Sequence, residues 1–527
     1  MEFRDINDIE NATSRGRKEM FRFGIVILFI TLILLFTSSL PVHNTTLSVE
    51  LVVAAMIGGY MALNIGANDV ANNVGPAVGS KALTLTGAII IAAIFESSGA
   101  LIAGGDVVST IKKGIIDPAL ISDPETFIWL MMAALLAGAI WLNIATAVGA
   151  PVSTTHSIVG GVLGAGIAAA GWNIANWDKM GAIAASWIIS PVIGGIIAAG
   201  FLMWIKRGIT YTENMIESAQ KLLPFLIAIM AWSFSTYLVL KGLKHIWKVD
   251  FLSATLIGLV IAFLVYLLVK PGIHRQAERM QNELENPKAA VNSLFTIPLI
   301  FAAALLSFAH GANDVANAVG PLAAIHDSIQ HHGISTKAEI PLWVMLIGAV
   351  GISLGLLLFG PKLIRTVGSE ITELDQMRAF SIAMAAAITV IIASQLGLPV
   401  SSTHIAVGGI FGVGFLREYL KRSYAKAVQE IRDHHQGADE EMVEQFIKRF
   451  SSASLAEKKF LLSQLKEKTA EVSLSKKERK SLNKVYQKEL VKRSAFLKIV
   501  AAWVITVPAS ALLAALFYFA IRGMMLP

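Results

Sequence analysis

The stretch GANDVANNVGP (66–76) recurs as GANDVANAVGP (311–321), with one difference, Asn73 against Ala318. Each copy sets an aspartate, Asp69 or Asp314, inside sequence that otherwise reads as membrane. An ionisable side chain at the centre of a membrane helix costs about 2.5–3.5 kcal/mol on insertion scales. Helix capping with close glycine packing would account for one such motif. A second copy in a second half of the chain points to a use for the charge.

A second pair of motifs follows in the same order. GAPVSTTHSIVGGVLGAG begins at Gly149 and GLPVSSTHIAVGGIFGVG at Gly397. The copies are separated by about 245 residues for the first motif and about 248 for the second. A weaker third correspondence joins GALIAGGDVVSTI from Gly99 to GLLLFGPKLIRTV from Gly355, which share glycines and the pair Thr110/Thr366. Ordered motif pairs of this length mean an internal duplication.

The 527 residues are 55% hydrophobic and 15% charged, with a mean hydropathy of +0.63. A soluble domain carries about 25% charged residues. Apolar runs fall near 24–40, 51–65, 84–105, 127–148, 181–205, 223–240, 251–269, 296–310, 341–360, 380–396 and 496–521. They predict an all-α polytopic membrane protein. The absence of cysteine excludes disulfides and thiolate metal sites. The opening MEFRDINDIENATSRGRKEMFRF is polar and of mixed charge, so the first apolar run is expected to be a retained signal-anchor. The net charge of +7 reads as a topology signal, and nucleic-acid binding is not expected.

Gly, Asn and Asp cluster at the GAND motifs, with Pro76 or Pro321 following. Pro151 or Pro399 opens the second motif, ahead of Ser and Thr that suit helix N-caps. Backbone freed from helical bonding at membrane depth must be buried in protein or line a cavity. Each motif is therefore expected to join two half-helices at a re-entrant turn.

Arg4, Arg15, Arg17, Lys18 and Arg22 place the N-terminal tail in the cytoplasm. The loop PVHNTTLSVE has no Lys or Arg and lies outside, so the first GAND segment enters from outside. Basic KRGITYTENMIESAQK and KPGIHRQAERMQNELENPK lie inside, so the second enters from inside. The halves are thus expected to be inverted repeats of a secondary transporter. KGLKHIWKVD, outside with three lysines, is the loop that disagrees. The expected division is a tail at 1–22, a first membrane repeat at 23–205, and a linker with a connecting transmembrane helix at 206–250. A second repeat follows at 251–416, then a soluble helical insertion at 417–493, and a last helix at 494–527 that completes the second repeat.

The chemistry constrains itself. Ser153, Thr154 and Thr155 in one half, and Ser401, Ser402 and Thr403 in the other, offer hydroxyls beside half-helix N-termini. Asn68, Asn72, Asn313 and Asn317 add amides. Such a neutral cradle suits a tetrahedral oxyanion. Asp69 and Asp314 would repel that anion unless a cation came with it. Carboxylate, amide, hydroxyl and carbonyl oxygens suit a hard cation such as Na⁺ at Asp69 and Asp314. Protonation of the aspartates would serve equally, because burial disfavours the charged carboxylate. Glu96, in FESSGA, is a third intramembrane acid whose repeat counterpart is apolar, near Ile352; it is expected on the cation or proton path. His156 and His404 read as packing residues. Asp106, Lys112 and Lys113 read as interfacial.

At these residues the chain resembles the inorganic phosphate transporter (PiT) family. The duplicated GANDVANNVGPAVGS and GANDVANAVGP, with PVSTTHSIVGG and PVSSTHIAVGG, match that family's signature in its order, over about 51–416 plus the last helix. The resemblance implies symport of inorganic phosphate with Na⁺ or H⁺ and no enzymatic activity or bound cofactor. It implies phosphate held by the second-motif hydroxyls and the amides, and Asp69, Asp314 and Glu96 serving the coupling ion. A second-half glutamate found in some members falls here at Ala383, so ion stoichiometry does not carry over. A sulfate carrier of the same fold is the alternative within the class. An intramembrane hydrolase using Ser153 or Ser401 with a histidine is the alternative outside it. Family likeness suggests a homodimer, and the basic tail suits a bacterial inner membrane.

Overall fold

A computed structural model describes residues 3–525 apart from 42–44, 106–113, 122, 243–248, 284–285, 332, 334–339, 366, 369–372, 397, 399 and 435–492. Asp106, Lys112, Lys113, Thr110, Thr366, Pro399 and most of the 417–493 insertion fall outside the described residues. No strand occurs among those described. The helices are α1 (Phe3–Ser38), α2 (Thr45–Asn68), α3 (Ala71–Gly79), α4 (Leu85–Ala103), α5 (Pro124–Val148), α6 (Thr154–Ala170), α7 (Trp177–Ile205) and α8 (Met215–Lys241). They continue with α9 (Phe251–Glu283), α10 (Pro287–Leu294), α11 (Thr296–Asp314), α12 (Ala316–His331), α13 (Leu342–Arg365), α14 (Gln376–Gln395), α15 (Ser402–His434) and α16 (Arg493–Met525). Among the described residues, 11 helical stretches are long and apolar enough to cross a membrane, and each covers one of the apolar runs. The chain is an integral membrane protein.

Local sequence sets the helix ends. Asp123, Asn176 and Asn214 accept the free amides at the starts of α5, α7 and α8. Gly149 closes α5 in the left-handed conformation, φ 76°, which a side chain would disfavour. The chain then runs extended to Ser153, whose Oγ accepts the His156 amide at 3.1 Å and starts α6. Ser401 accepts the His404 amide in the same way at 3.2 Å. Helices α5 and α6 thus form a hairpin with Gly161 against the Ala134 backbone.

The GAND motifs behave differently from the re-entrant turn expected of them. Val70 (φ −63°, ψ −24°) and Val315 (φ −55°, ψ −32°) keep helical dihedrals. Asn72 and Asn73 donate three residues back, to Asp69 O and Val70 O, so the turn tightens without reversing. Pro76 and Pro321 lie inside α3 and α12. The motifs are kinks in long membrane helices. The hairpin reversal belongs to the first-half PVS segment, where glycine and extended backbone allow it.

Reciprocal contacts relate the halves. A Cβ at Gly66 would lie 1.8 Å from Ile352 O, and one at Gly311 would lie 2.2 Å from Glu96 O. A Cβ at Gly355 would lie 1.8 Å from Leu63 O, and one at Gly99 would lie 2.0 Å from Phe308 O. So α2 crosses α13 of the other half, while α11 crosses α4. Exchange of equivalent contacts is the signature of a two-fold relation. The equivalent hydroxyls of Ser97 and Ser353 meet at 2.7 Å, close to the axis. Without a hydrophobic drive between helices in lipid, such small-residue crossings hold the bundle by close backbone packing.

The ring pairs follow the same symmetry. His156 lies against Trp187 with ring centres 3.8 Å apart and planes tilted by 38°, and His404 stacks on Trp503 at 3.7 Å. The two imidazoles meet edge-on at 4.3 Å. Helix α16 packs along α6, with Gly160 and Gly164 against the Val507 and Ala511 backbone, and α7 packs along α15, with Gly195 against the Gly408 backbone, so the equivalent helices α7 and α16 are exchanged between the halves. Helix α15 continues past the membrane motif to His434, so the described start of the insertion extends that helix.

Candidate functional site

The two kinks and the starts of α6 and α15 meet in a buried polar centre. Asp69, the first residue beyond α2, is 1% exposed, and Asp314, the last of α11, is fully buried. Thr154 Oγ1 donates to Asp69 Oδ2 at 2.6 Å, and Thr403 Oγ1, from the other half, donates to Oδ1 at 2.8 Å. The Thr154 amide approaches Oδ2 at 3.4 Å. Ser402 Oγ donates to Asp314 Oδ2 at 2.7 Å, repeating the Thr154 contact. Asn72 Nδ2 reaches Thr403 Oγ1 at 2.9 Å, and Asn317 Nδ2 reaches Thr154 and Thr155 Oγ1 at 3.0 and 3.2 Å. Each half thus supplies an amide to hydroxyls of the other, and Asp69 accepts hydroxyls from both halves while Asp314 accepts one from its own.

The symmetry fails at one place. Thr155 Oγ1 donates to Val400 O at 3.2 Å, whereas its counterpart Thr403 donates to an aspartate. Asp314 Oδ1 is left buried without a hydrogen-bond partner. On its other oxygen, Asp314 gains His310, whose Nε2 lies 2.8 Å from Oδ2, an ion-pair contact without hydrogen-bond alignment. His310 Nδ1 lies 2.7 Å from Glu96 Oε2, and Asn73 Nδ2 donates to Glu96 Oε1 at 2.8 Å. Glu96 and His310 are both fully buried.

Three departures from the repeat are therefore one structure. Asn73 stands where the second half has Ala318, Glu96 where it has Ile352, and His310 where the first half has Ile65. Sequence reasoning found Glu96 and the Asn73 difference but missed His310. The signal was available: the residue before the glycine that opens each motif is isoleucine in one copy and histidine in the other. Only the fold shows that the three odd residues touch.

The sequence-selected residues divide by position. Asp69, Asn72, Thr154, Thr155, Asp314, Asn317, Ser402 and Thr403 converge at the centre, with Glu96 one histidine away. Asn68 instead clamps the hairpin turn: its Nδ2 donates to Ala150 O at 3.1 Å, and its Oδ1 accepts the Val152 amide at 3.1 Å. Ser153 and Ser401 cap α6 and α15. Asn313 is buried on α11. His156 and His404 pack on tryptophan rings, and the serine hydroxyls beside them serve the helix amides.

Ligand atoms of Asp69, His310 and Asp314 all lie within 4.8 Å of one another. Carboxylate and hydroxyl oxygens dominate around them, the donor set of a hard cation. The symmetry departure is testable by restoring the repeat. Removing one partner of a buried ion pair costs about 3–5 kcal/mol, so His310→Ile alone is expected to lower thermal stability sharply. The triple change Asn73→Ala, Glu96→Ile, His310→Ile, which copies each residue's counterpart, is expected to regain most of that loss. A triple variant melting no higher than the single one would show the three residues to be independent.

Reciprocal membrane halves here share one buried centre with a carboxylate from each, and the proteins this chain resembles are membrane transporters. The family model described as "Phosphate transporter family" matches residues 65–514. The chain is 52% identical to a Helicobacter pylori strain J99 protein provisionally named a phosphate permease, over 99% of both chains. A similarly named Pyrococcus abyssi protein is 39% identical, over 70% of this chain and 89% of its own. The solved structure titled "The sodium-dependent phosphate transporter" superposes with a TM-score of 0.73 at 32% identity, covering 91% of this chain and all of that one. The chain belongs to the phosphate transporter family.

Proposed function

We propose that this protein carries inorganic phosphate into the cell together with Na⁺, through the centre where Asp69 and Asp314 meet. The observation that carries the proposal is that Thr154, Ser402 and Thr403 all turn their hydroxyls onto the two aspartates. In that arrangement the hydroxyl protons face carboxylate oxygens and are not available to an anion. A cation seated on the carboxylates takes hydroxyl lone pairs as well, and the O–H groups turn outward. The same three hydroxyls, with Asn72 and Asn317, then donate to phosphate. The anion binds weakly until the cation has bound, which is coupling by hydrogen-bond direction. Sodium is the cation we favour, supported by the oxygen-rich donor set and by the name of the structural relative.

The charge distribution supports a cytoplasmic N-terminus in a bacterial inner membrane and repeats inserted in opposite senses. An axis lying in the membrane plane would let the centre face either side in turn.

The test is uptake of radiolabelled phosphate into proteoliposomes, with Na⁺ and pH gradients imposed separately and sulfate added as competitor. Uptake driven by Na⁺ and resistant to sulfate is expected. Uptake driven by a pH gradient alone would replace sodium with protons, and uptake indifferent to both would remove the coupling mechanism.

A further inference from the structure

A groove of about 390 Å³ opens where α7, α8 and α9 come together at the ends of their membrane spans. Gly208 lies in the last turn of the 177–210 span, and Ser218 in the first turn of the 215–241 span. Tyr266, from α9, lies one turn before Lys270, where that helix's apolar run gives way to KPGIHRQ. Lys221, Leu222 and Phe225 complete the lining, and none of the six residues belongs to the Asp69/Asp314 centre.

The lining is graded in polarity. Ser218, Lys221, Leu222 and Phe225 recur every three or four residues, so they share one face of α8. Going inward from the start of the span, that face offers a hydroxyl, an ammonium, an isobutyl group and then an exposed phenyl ring. A phospholipid changes from headgroup to acyl chain in the same direction. Trp204 supports the phenyl ring edge-on at 5.8 Å, as aromatics do at the headgroup level. On the facing side the chain bulges over Lys206–Thr210, and the Tyr211 amide donates to Lys206 O at 2.8 Å, five residues back. A Cβ at Gly208, in that bulge, would lie 2.7 Å from Leu222 Cδ2, so a bare backbone forms this wall.

Two ammonium groups stand at the polar end. Lys221 Nζ lies 2.7 Å from Glu217 Oε1, but both side chains are more than half exposed, so water screens the pair and Lys221 keeps further protons to donate. Lys270 Nζ lies 5.6 Å from the Tyr266 ring centre and has no carboxylate within ion-pair distance among the described residues. Basic pockets between helices at this level suit anionic headgroups, whose phosphate oxygens accept charge-assisted hydrogen bonds.

We infer that this groove holds one anionic glycerophospholipid. Lys221 and Lys270 take its phosphate, with the Ser218 hydroxyl beside them, and an acyl chain lies along Leu222 and Phe225. The lipid ties the end of α7 to α8 and α9 without touching the transport centre.

The full-length protein would be placed in nanodiscs of mixed phosphatidylcholine and phosphatidylglycerol, and the lipids it retains counted by native mass spectrometry. Wild-type protein is expected to retain phosphatidylglycerol in preference to phosphatidylcholine. Lys221→Gln/Lys270→Gln should weaken that retention by about fivefold for each charge removed. Ser218→Phe, which fills the groove and leaves both charges in place, should release the lipid as well. Lys179→Gln, at the opposite end of the 177–210 span, should change nothing. Melting temperature in phosphatidylcholine discs alone checks that each variant is folded. Equal retention of phosphatidylglycerol by wild type and the double variant overturns the inference. So does equal retention of the two lipids by wild type, which would leave chain contact without recognition of the headgroup.

Discussion

Asp69→Asn is expected to abolish Na⁺-dependent phosphate uptake while leaving the protein folded and inserted. The carboxylate accepts Thr154 and Thr403 hydroxyls at 2.6 and 2.8 Å. An asparagine of the same shape keeps one oxygen as acceptor, and a hydroxyl opposite its amide group rotates to accept. Packing survives, but the charge does not. A unit charge about 4 Å from a cation is worth about 4 kcal/mol at an effective dielectric of 20. The Na⁺ concentration for half-maximal uptake should therefore rise on the order of 10²–10³-fold, beyond usable salt. Asp314→Asn should also stop coupled uptake, but with a further cost in stability. Asp314 is in ion-pair contact with His310, and its loss leaves that ring facing Glu96 alone. Normal sodium-dependent uptake by a well-inserted Asp69→Asn protein would sink the mechanism proposed for the centre. A melting temperature equal for the two variants would remove the asymmetry argued for His310.

The second large effect is steric. Gly66→Ala should prevent stable folding, because its Cβ would sit 1.8 Å from Ile352 O and 2.7 Å from the Ile352 carbonyl carbon. Those are backbone atoms of a packed helix and cannot swing aside as a side chain would. Overpacking a core commonly costs about 1–3 kcal/mol, and a backbone collision belongs at or above the top of that range. Gly311→Ala meets Glu96 O at 2.2 Å and should fail in the same way. Gly200→Ala has nothing within 4 Å and serves as the control. The readout is the monodisperse fraction after purification, together with the melting temperature. A Gly66→Ala protein as stable as the Gly200→Ala control would mean that the α2–α13 crossing is looser than these contacts require.

Much of this was legible without coordinates, for identifiable reasons. Membrane spans announce themselves because lipid demands apolar side chains over a fixed length, and every apolar run became a span. The duplication was legible because each half must supply similar groups to one centre. The N-caps at Ser153 and Ser401 were legible because a hydroxyl one turn ahead of a free amide is a local device. The kinked form of the GAND motifs was not. Gly, Asn and Asp permit a reversal, but Val70 and Val315 are held helical by packing on helices distant in sequence. Likewise, nothing local distinguishes Asn68 from Asn72, yet one clamps a turn and the other reaches across to Thr403.

The sequence by itself determined the class of fold, the repeat and the family, since all three rest on composition and on motifs read in order along the chain. Only the tertiary structure decided which polar groups act together. His310, Glu96 and Asn73 lie far apart in the chain, and each looks like an isolated departure from its counterpart. They form one buried unit because α4 crosses α11 at Gly311, where the absence of a side chain lets the backbones touch. Contacts made through such a crossing depend on the closeness of two helices, and no local pattern records that distance.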